Sequence, residues 1–463
     1  MSSSTGSASD RINALLDDKS FVEIGAKVTA RATDFDLKQN FAPSDGVVTG
    51  YGSIEGKPVY VFSQDAAVLG GSIGEMHAKK ITGLYDLALK TGTPVVGIID
   101  STGVRLQEST DALNALAEIY SKQAYAKGVV LQIMAVFGNC GGGLAFSTAM
   151  SDFTFMEEKE GKLFVNSPNS VDGNYTEKCD TSSADFQGKE SGNADFVGSA
   201  DEIYASIRKL VSILPSNNEE LAVTDTNDDL NRKTPDITGA IGDTSILLSQ
   251  IADDNDFIEC KAGYAKDMVT GFILLDGMTV GCVANRTEII GDDGKVAEKF
   301  DAVISANGAS KAADFVYFCD SFGIPVLTVT NVKGFKACMC SEKRVARAVA
   351  ELTHAFANCD VARVNLITGK ALGSAYAVMN SKGLGCDLTY AWPDAEIGPM
   401  DAKLAAKLMY DGKDAALIDE KAKEYAALQN SAESAAKRGY VDSIIDPADT
   451  RKHLVYAFEM LFA

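Results

Sequence analysis

The sequence predicts an α/β protein built from two tandem homologous domains, and three observations carry that prediction. The chain has 463 residues, two to three times the usual domain size. Each half reads as hairpin-like strands followed by alternating helical and apolar stretches, the pattern of a layered α/β domain with right-handed crossovers. The second half also repeats the first in order and local pattern, the mark of a duplicated architecture.

Along the chain, Met1–Asp10 (MSSSTGSASD) is small and polar and reads as a mobile tail. DDKSFVEI (17–24) and VTGYGSIEGKPV (48–59) supply the first strands. SQDAAVLGGSIGEMHAKKI (63–81) joins a glycine-rich loop to an amphipathic helix bearing Lys79 and Lys80. TPVVGIIDSTG (93–103) is a buried strand ending at a loop glycine, and GVVLQIMAVFGNCGGGLAFSTAM (128–150) is a strand running through a small-residue turn into a helix. Between Leu214 and Asp236 the apolar periodicity gives way to Asn, Asp, Thr and Pro, as in a linker. The expected domains are therefore 1–235 and 236–463. The repeat follows as DDNDFIEC (253–260), VTGFILLDGMTV (269–280), IPVLTVTNVKG (324–334) and VARVNLITGKALGSAYAVMNSKG (361–383). Gly142 and Gly373 lie 231 positions apart, the same offset that relates the two strand-to-loop segments.

Composition narrows the function. With 46% hydrophobic and 23% charged residues the chain is globular rather than disordered. A net charge of −21 repels nucleic acid and anionic membrane. No nucleic-acid partner is expected, and an anionic ligand needs a local basic pocket or a helix N-terminus. No stretch approaches the roughly 18 apolar residues of a membrane span, and the first residues lack a signal pattern, so a cytoplasmic protein is expected. Nine scattered cysteines without a CxxC pair suit reduced thiols, and three histidines outside any HExxH pattern leave no metal site.

Chemistry is expected at the glycine turns. Gly142 and Gly143, with Gly141 before them, precede a helix whose unpaired N–H groups form an oxyanion hole for a thioester carbonyl; a tight, closely packed turn is the alternative. Gly373, Ser374 and Ala375 occupy the matching turn. Gly70, Gly71 and Ser72, followed by Lys79, are candidates for binding phosphate, or else a mobile loop with a solvated lysine face. Arg105 offers a fixed charge for a carboxylate or phosphate, or a surface or interdomain ion pair. Cys140 reads as a small buried residue rather than a nucleophile. Glu157, Glu158, Glu160 and Asp195 read as solvated charges. No Ser/His/Asp or Cys/His spacing suggests a triad.

Together, RINALLDDKSFVEIG, DGVVTGYGSIEGKPVYVFSQD, GGSIGEMHAKKI, LALKTGTPVVGIIDSTGVRLQE, KAADFVYFCDSFGIPVLTV, SKGLGCDLTYAWPDAEIGPM and AAKRGYVDSIIDPADTR cover nearly the whole chain. They resemble the carboxyltransferase subunits of biotin-dependent acyl-CoA carboxylases and decarboxylases. The resemblance implies two crotonase-like (ClpP/crotonase) domains, the first on the acyl-CoA side and the second on the biotin side. It implies transfer of a carboxyl group between biotin and the α-carbon of a short acyl-CoA through an enolate. Gly142 and Gly143 would hold the thioester oxygen, and Ser374 and Ala375 the biotin ureido oxygen. Gly70, Gly71, Ser72, Lys79, Arg105, Gly373 and Ala377 are the further cofactor-binding candidates, Ala377 at a position associated with substrate choice in relatives. No AMKM sequence is present, so biotin is expected on a separate biotin carboxyl carrier protein, beside a biotin carboxylase subunit or membrane decarboxylase subunits. A homo-hexamer, a trimer of dimers, is implied, peripheral to the membrane if the partners are membrane subunits.

Several segments depart from the family pattern. They are Thr102-Gly103 for GG, Lys333-Gly334-Phe335 for PGF, Ser341–Leu352 for a GGIIRHGA helix, GSA for GGA, and Ala377 for an acid or larger residue. The alternatives are the α subunit of a sodium-pumping acyl-CoA decarboxylase, a crotonase-type hydratase or isomerase, and an inactive scaffold subunit.

Overall fold

The computed structural model describes residues 6–33, 42–172, 179–221 and 223–462. The chain divides into two compact units between Leu221 and Ala222. This point lies inside the stretch read as a linker but ahead of the expected 235/236 boundary. The reason is hydrogen bonding: Arg232 donates to the carbonyls of Gln250 and Ala252 at 2.9 and 2.8 Å, and the Thr224 amide to that of Gly277 at 2.8 Å.

The first unit holds β1 (Val22–Ile24), β2 (Val47–Ile54), β3 (Lys57–Gln64), β4 (Val95–Ser101), β5 (Gln132–Gly141), β6 (Phe153–Glu157), β7 (Lys162–Phe164) and β8 (Phe196–Gly198). Its sheet runs β1-β2-β3-β4-β5-β6-β8, with β7 also paired to β5. The β1–β2 and β2–β3 pairs are antiparallel, and every pair from β3–β4 onward is parallel. All seven residues of β4 are buried, as a strand covered on both faces requires. The helices used below are α1 (Ala8–Leu15), α2 (Glu75–Thr91), α3 (Ser109–Ala126) and α4 (Leu144–Ala149).

The second unit repeats the plan with β9 (Phe257–Cys260), β10 (Met268–Leu275), β11 (Met278–Asn285), β12 (Glu288–Ile290), β13 (Val296–Lys299), β14 (Val326–Val332), β15 (Arg363–Leu372), β16 (Leu388–Ala391), β17 (Glu396–Gly398) and β18 (Ser443–Ile444). Its main sheet runs β18-β16-β15-β14-β11-β10-β9, with β17 on β15, while β12 and β13 form a separate ribbon.

The repeat extends to side chains. The β2–β3 and β10–β11 hairpins turn at Glu55-Gly56 and Asp276-Gly277, all four residues having positive φ, the two-residue turn that suits strand twist. Asp17 accepts from both amides of the first turn at 3.1 and 2.9 Å, and Asp253 from both amides of the second at 3.2 and 2.8 Å. Arg208 and Arg451 then hold those aspartates at 2.8 and 2.6 Å. Gly138 leaves room for Asp100, whose Oδ1 would lie 2.0 Å from an added Cβ. Gly369 does the same for Asn331 at 2.7 Å. Lys80 and Lys311, also 231 apart, are both buried and donate to backbone carbonyls, Lys80 to Ser44 and Val47, Lys311 to Lys261 and Tyr264. Burial lowers both ammonium pKa values, to about 8 and about 7.

Two sequence expectations fail here. Residues 1–5 of the expected tail lie outside the described residues, but Ser7 caps α1 in a reciprocal box with Asp10. Arg11 from that helix pairs with buried Asp100 at 2.9 Å. Glu157 is 5% exposed and accepts from the amides of Lys159 and Glu160 at 2.9 and 2.5 Å, and Asp195 accepts from the Thr154 amide at 2.8 Å. Glu157 and half-buried Asp195 thus serve strand ends, whereas Glu158 and Glu160 are exposed as expected. Among the described residues no helix is long and apolar enough to cross a membrane.

Candidate functional site

In the first unit, the loops that follow β3, β4 and β5 converge at the carboxyl ends of the parallel strands, the usual place for a ligand in an open α/β sheet. Ile73 bridges Val104, and the Thr102 amide donates to the Gly70 carbonyl at 3.0 Å. Gly71 has φ +63, and a Cβ there would lie 2.2 Å from the Asp100 carbonyl. A side chain cannot enter. A Cβ on Gly103 would lie 3.7 Å from the Gly141 carbonyl, which places the turn against this loop.

The turn itself is specific about its donors. Gly142 has φ +62 with open space around its missing Cβ, but its amide already donates to the Phe164 carbonyl at 2.9 Å. The Gly143 amide has no acceptor among the described residues, and Leu144 opens α4, where the helix supplies no partner. The expected pair Gly142 and Gly143 therefore shifts by one: the available amides are those of Gly143 and Leu144. Tyr120 fixes the turn from α3, its hydroxyl donating to the Gly143 carbonyl at 2.6 Å. Cys140 is fully buried against Thr148, and burial raises its thiol to about 12, so it packs rather than attacks.

Arg105 takes none of the expected roles. It is 1% exposed and donates to Asp45 at 2.6 Å, to Glu108 at 2.8 Å, and to the hydroxyl and carbonyl of Ser72 at 3.2 and 2.7 Å. It is a buried structural cation inside one unit. The same two carboxylates also occupy the start of α2: Glu108 accepts from the Glu75 amide and Asp45 from the His77 amide, both at 2.7 Å. That helix end is thus filled from within by internal carboxylates, not open to a phosphate. Lys79 is exposed and pairs with Glu75 at 3.7 Å. Gly70, Gly71 and Ser72 do lie beside the β4 loop, as described above. His77 is buried between Gln64 and Asp45, and burial drops its pKa to about 3, so it remains neutral.

In the second unit, β15 leads into the matching turn. Gly373 has φ +65, and Leu372 pairs with Gly398 as Gly141 pairs with Phe164. Ser374 and Ala375 fall in the first turn of helix Gly373–Val378 and correspond in position to Gly143 and Leu144. Gly373, Ser374 and Ala377 line a cavity of about 700 Å³ that Ile397, Pro399 and Arg438 also border. Asn365 holds the far end of the short helix through the carbonyls of Met379 and Asn380 at 3.2 and 3.1 Å. Neither Asn365 nor Tyr120 was signalled by a motif, because each acts on a backbone carbonyl distant in sequence.

The Carboxyl transferase domain family matches residues 5–463. The propionyl-CoA carboxylase beta chain of Roseobacter denitrificans is 39% identical over 98% of this chain and 90% of its own. The methylmalonyl-CoA decarboxylase subunit alpha of Propionigenium modestum is 37% identical with the same coverage. The crystal structure of transcarboxylase 12S, a hexamer with methylmalonyl-coenzyme A and methylmalonic acid bound, superposes with a TM-score of 0.91 at 36% identity, over 99% of this chain and 90% of that one. A family match over almost every residue, with two units that repeat each other around paired glycine turns, makes this chain a member of the carboxyl transferase family with two tandem crotonase-like domains.

Proposed function

We propose that this chain moves a carboxyl group between biotin on a separate carrier protein and the α-carbon of a short acyl-CoA of the propionyl/methylmalonyl or acetyl/malonyl type. The first domain takes the thioester and the second takes biotin. The observation that carries this reading is the pair of matching turns, each with first-turn amides at the carboxyl ends of the parallel strands of its sheet.

Gly143 and Leu144 supply the donors for the thioester oxygen, and Ser374 and Ala375 those for the ureido oxygen. Both oxygens gain negative charge only as the carboxyl group moves. Donors already in place lower that barrier without reorganising. The cavity beside Gly373, Ser374 and Ala377 supports a biotin fit, since it is roomy and partly apolar with amides at one wall. Bound biotin supplies the ring nitrogen that carries the carboxyl group. The chain's part is to hold the thioester with its α-carbon exposed and to stabilise the enolate oxygen. No side-chain nucleophile is needed, consistent with the inert Cys140 and His77.

The proposed partners are a biotin carboxyl carrier protein with either a biotin carboxylase subunit or membrane decarboxylase subunits, around a hexamer of this chain. The decarboxylating direction, as the α subunit of a sodium-pumping decarboxylase, is the second reading, supported by the 37% identity to a methylmalonyl-CoA decarboxylase subunit alpha. The test is incubation of the protein with free biotin and methylmalonyl- or malonyl-CoA, followed by mass spectrometry. Decarboxylated acyl-CoA and carboxybiotin are expected. Silence across a panel of short dicarboxylic acyl-CoAs overturns the reading, and hydration of an enoyl-CoA without biotin replaces it with a hydratase.

A further inference from the structure

The loop after β14 carries chemistry that carboxyl transfer does not use. Cys338 and Cys340 flank the start of helix Met339–Glu342, with their sulfurs 3.1 Å apart. That separation lies inside van der Waals contact and within about 1 Å of the ~2.05 Å of an S–S bond. The other cysteines offer no such pair: six are buried, and Cys179 is the remaining partly exposed one. Cys340 is exposed and Cys338 half-buried. Both line a cavity of about 470 Å³ whose walls mix cations, Lys336 and Arg344 among them, with the carboxylates of Asp267, Glu298 and Asp301, so a small zwitterionic thiol reagent finds groups of both signs beside the sulfurs.

The matching loop of the first unit has no such site. There Arg105, at the position of Lys336, is locked between Asp45 and Glu108. In the second unit the lysine faces the cavity, and the Ser341 amide donates to the Cys338 sulfur at 3.4 Å. Hydrogen bonds from Cys340 and from the Ser341 amide, with Lys336 nearby, hold the Cys338 thiol below its usual range.

We infer that Cys338 and Cys340 form a reversible dithiol/disulfide site whose reaction partner is a low-molecular-weight disulfide of the glutathione type. The Cys338 thiolate attacks one sulfur of that disulfide, forming a mixed disulfide and releasing one thiolate. The Cys340 thiolate then attacks the Cys338 sulfur and releases the second. The two protein thiols are oxidised to one intramolecular disulfide, their two protons pass to the departing thiolates, and the small disulfide is reduced to two thiols. The site belongs to the second unit alone and lies in the loop that β14 runs into, β14 being the strand whose Val332 pairs with Ala371 of β15.

The test uses the full chain, reduced, desalted and exposed to glutathione disulfide, with thiol counting under denaturing conditions and peptide mapping. Nine thiols should fall by two, with the new link between Cys338 and Cys340, and dithiothreitol should restore both. Cys340→Ser should instead accumulate one glutathione on Cys338. Nine surviving thiols, glutathione persisting on Cys338 of the unsubstituted chain, or Cys179 reacting as fast as the pair would each overturn the proposal.

Discussion

Two loops at matching positions, 102–108 after β4 and 333–339 after β14, are secured by different means. The first is closed by a buried cation between two buried carboxylates that also satisfy the first amides of α2. The second has a lysine beside a cavity at the same place, with two thiols opening the next helix. The frame around them is shared, down to the aspartate-bound hairpin turns, the paired glycines 138 and 369, and the buried lysines. Duplication has thus kept the groups that satisfy the backbone of the shared frame and let the groups that close these loops diverge. A donor that serves a carbonyl or a turn has few replacements, whereas a loop can be closed in several ways.

The contrast is sharpest at Arg105. Arg105→Ala leaves Asp45 and Glu108 buried without their partner and should cost about 3–5 kcal/mol in a denaturant titration; a loss below about 1 kcal/mol would break the comparison. Next is Gly143→Ala, whose Cβ would lie 2.6 Å from the Tyr120 hydroxyl and disturb the turn. Carboxyl exchange should fall about 100-fold or more with the circular dichroism unchanged, and undiminished turnover would remove that turn from the site.

An effect spread over several pH units, and so smaller at each step, is expected at Lys311. Its folded pKa of about 7 lies below the ordinary 10.5, so between those values the unfolded chain holds the extra proton. Stability from this residue is then complete above about pH 10.5 and declines as the pH falls to about 7. Lys311→Met should flatten the stability–pH curve in that window, by at most about 1.4 kcal/mol per pH unit. The smallest change is expected of Lys336→Ala, within about 0.5 kcal/mol, since no buried carboxylate depends on it. A cost near that of Arg105→Ala would show that the two loops are held alike after all.

Much of this frame was legible in the sequence, because strand periodicity and a fixed offset are local or repeating signals. The hairpins, the buried β4 and β14, and both glycine turns follow from them. The first helix was legible too, in the Ser7–Asp10 capping box, but its polar composition masked it. What could not be read depends on partners far along the chain. The Gly142 amide is satisfied by Phe164, Arg105 by Asp45, and the Gly143 carbonyl by Tyr120. A glycine run announces that a side chain is unwelcome, not which of its amides is spare. Likewise a lone arginine after a strand looks the same whether it awaits a ligand or is already neutralised.

Arg11 near one end of the chain and Arg451 near the other reach deep into their own units, to Asp100 and Asp253. Anyone trimming this protein for crystallisation should expect the damage to surface far from the cut. Removing α1 would strand the aspartate whose carbonyl abuts Gly71, and deleting the last helix would release the second hairpin turn. Purification handles are therefore better joined through a flexible spacer than gained by shaving either terminus.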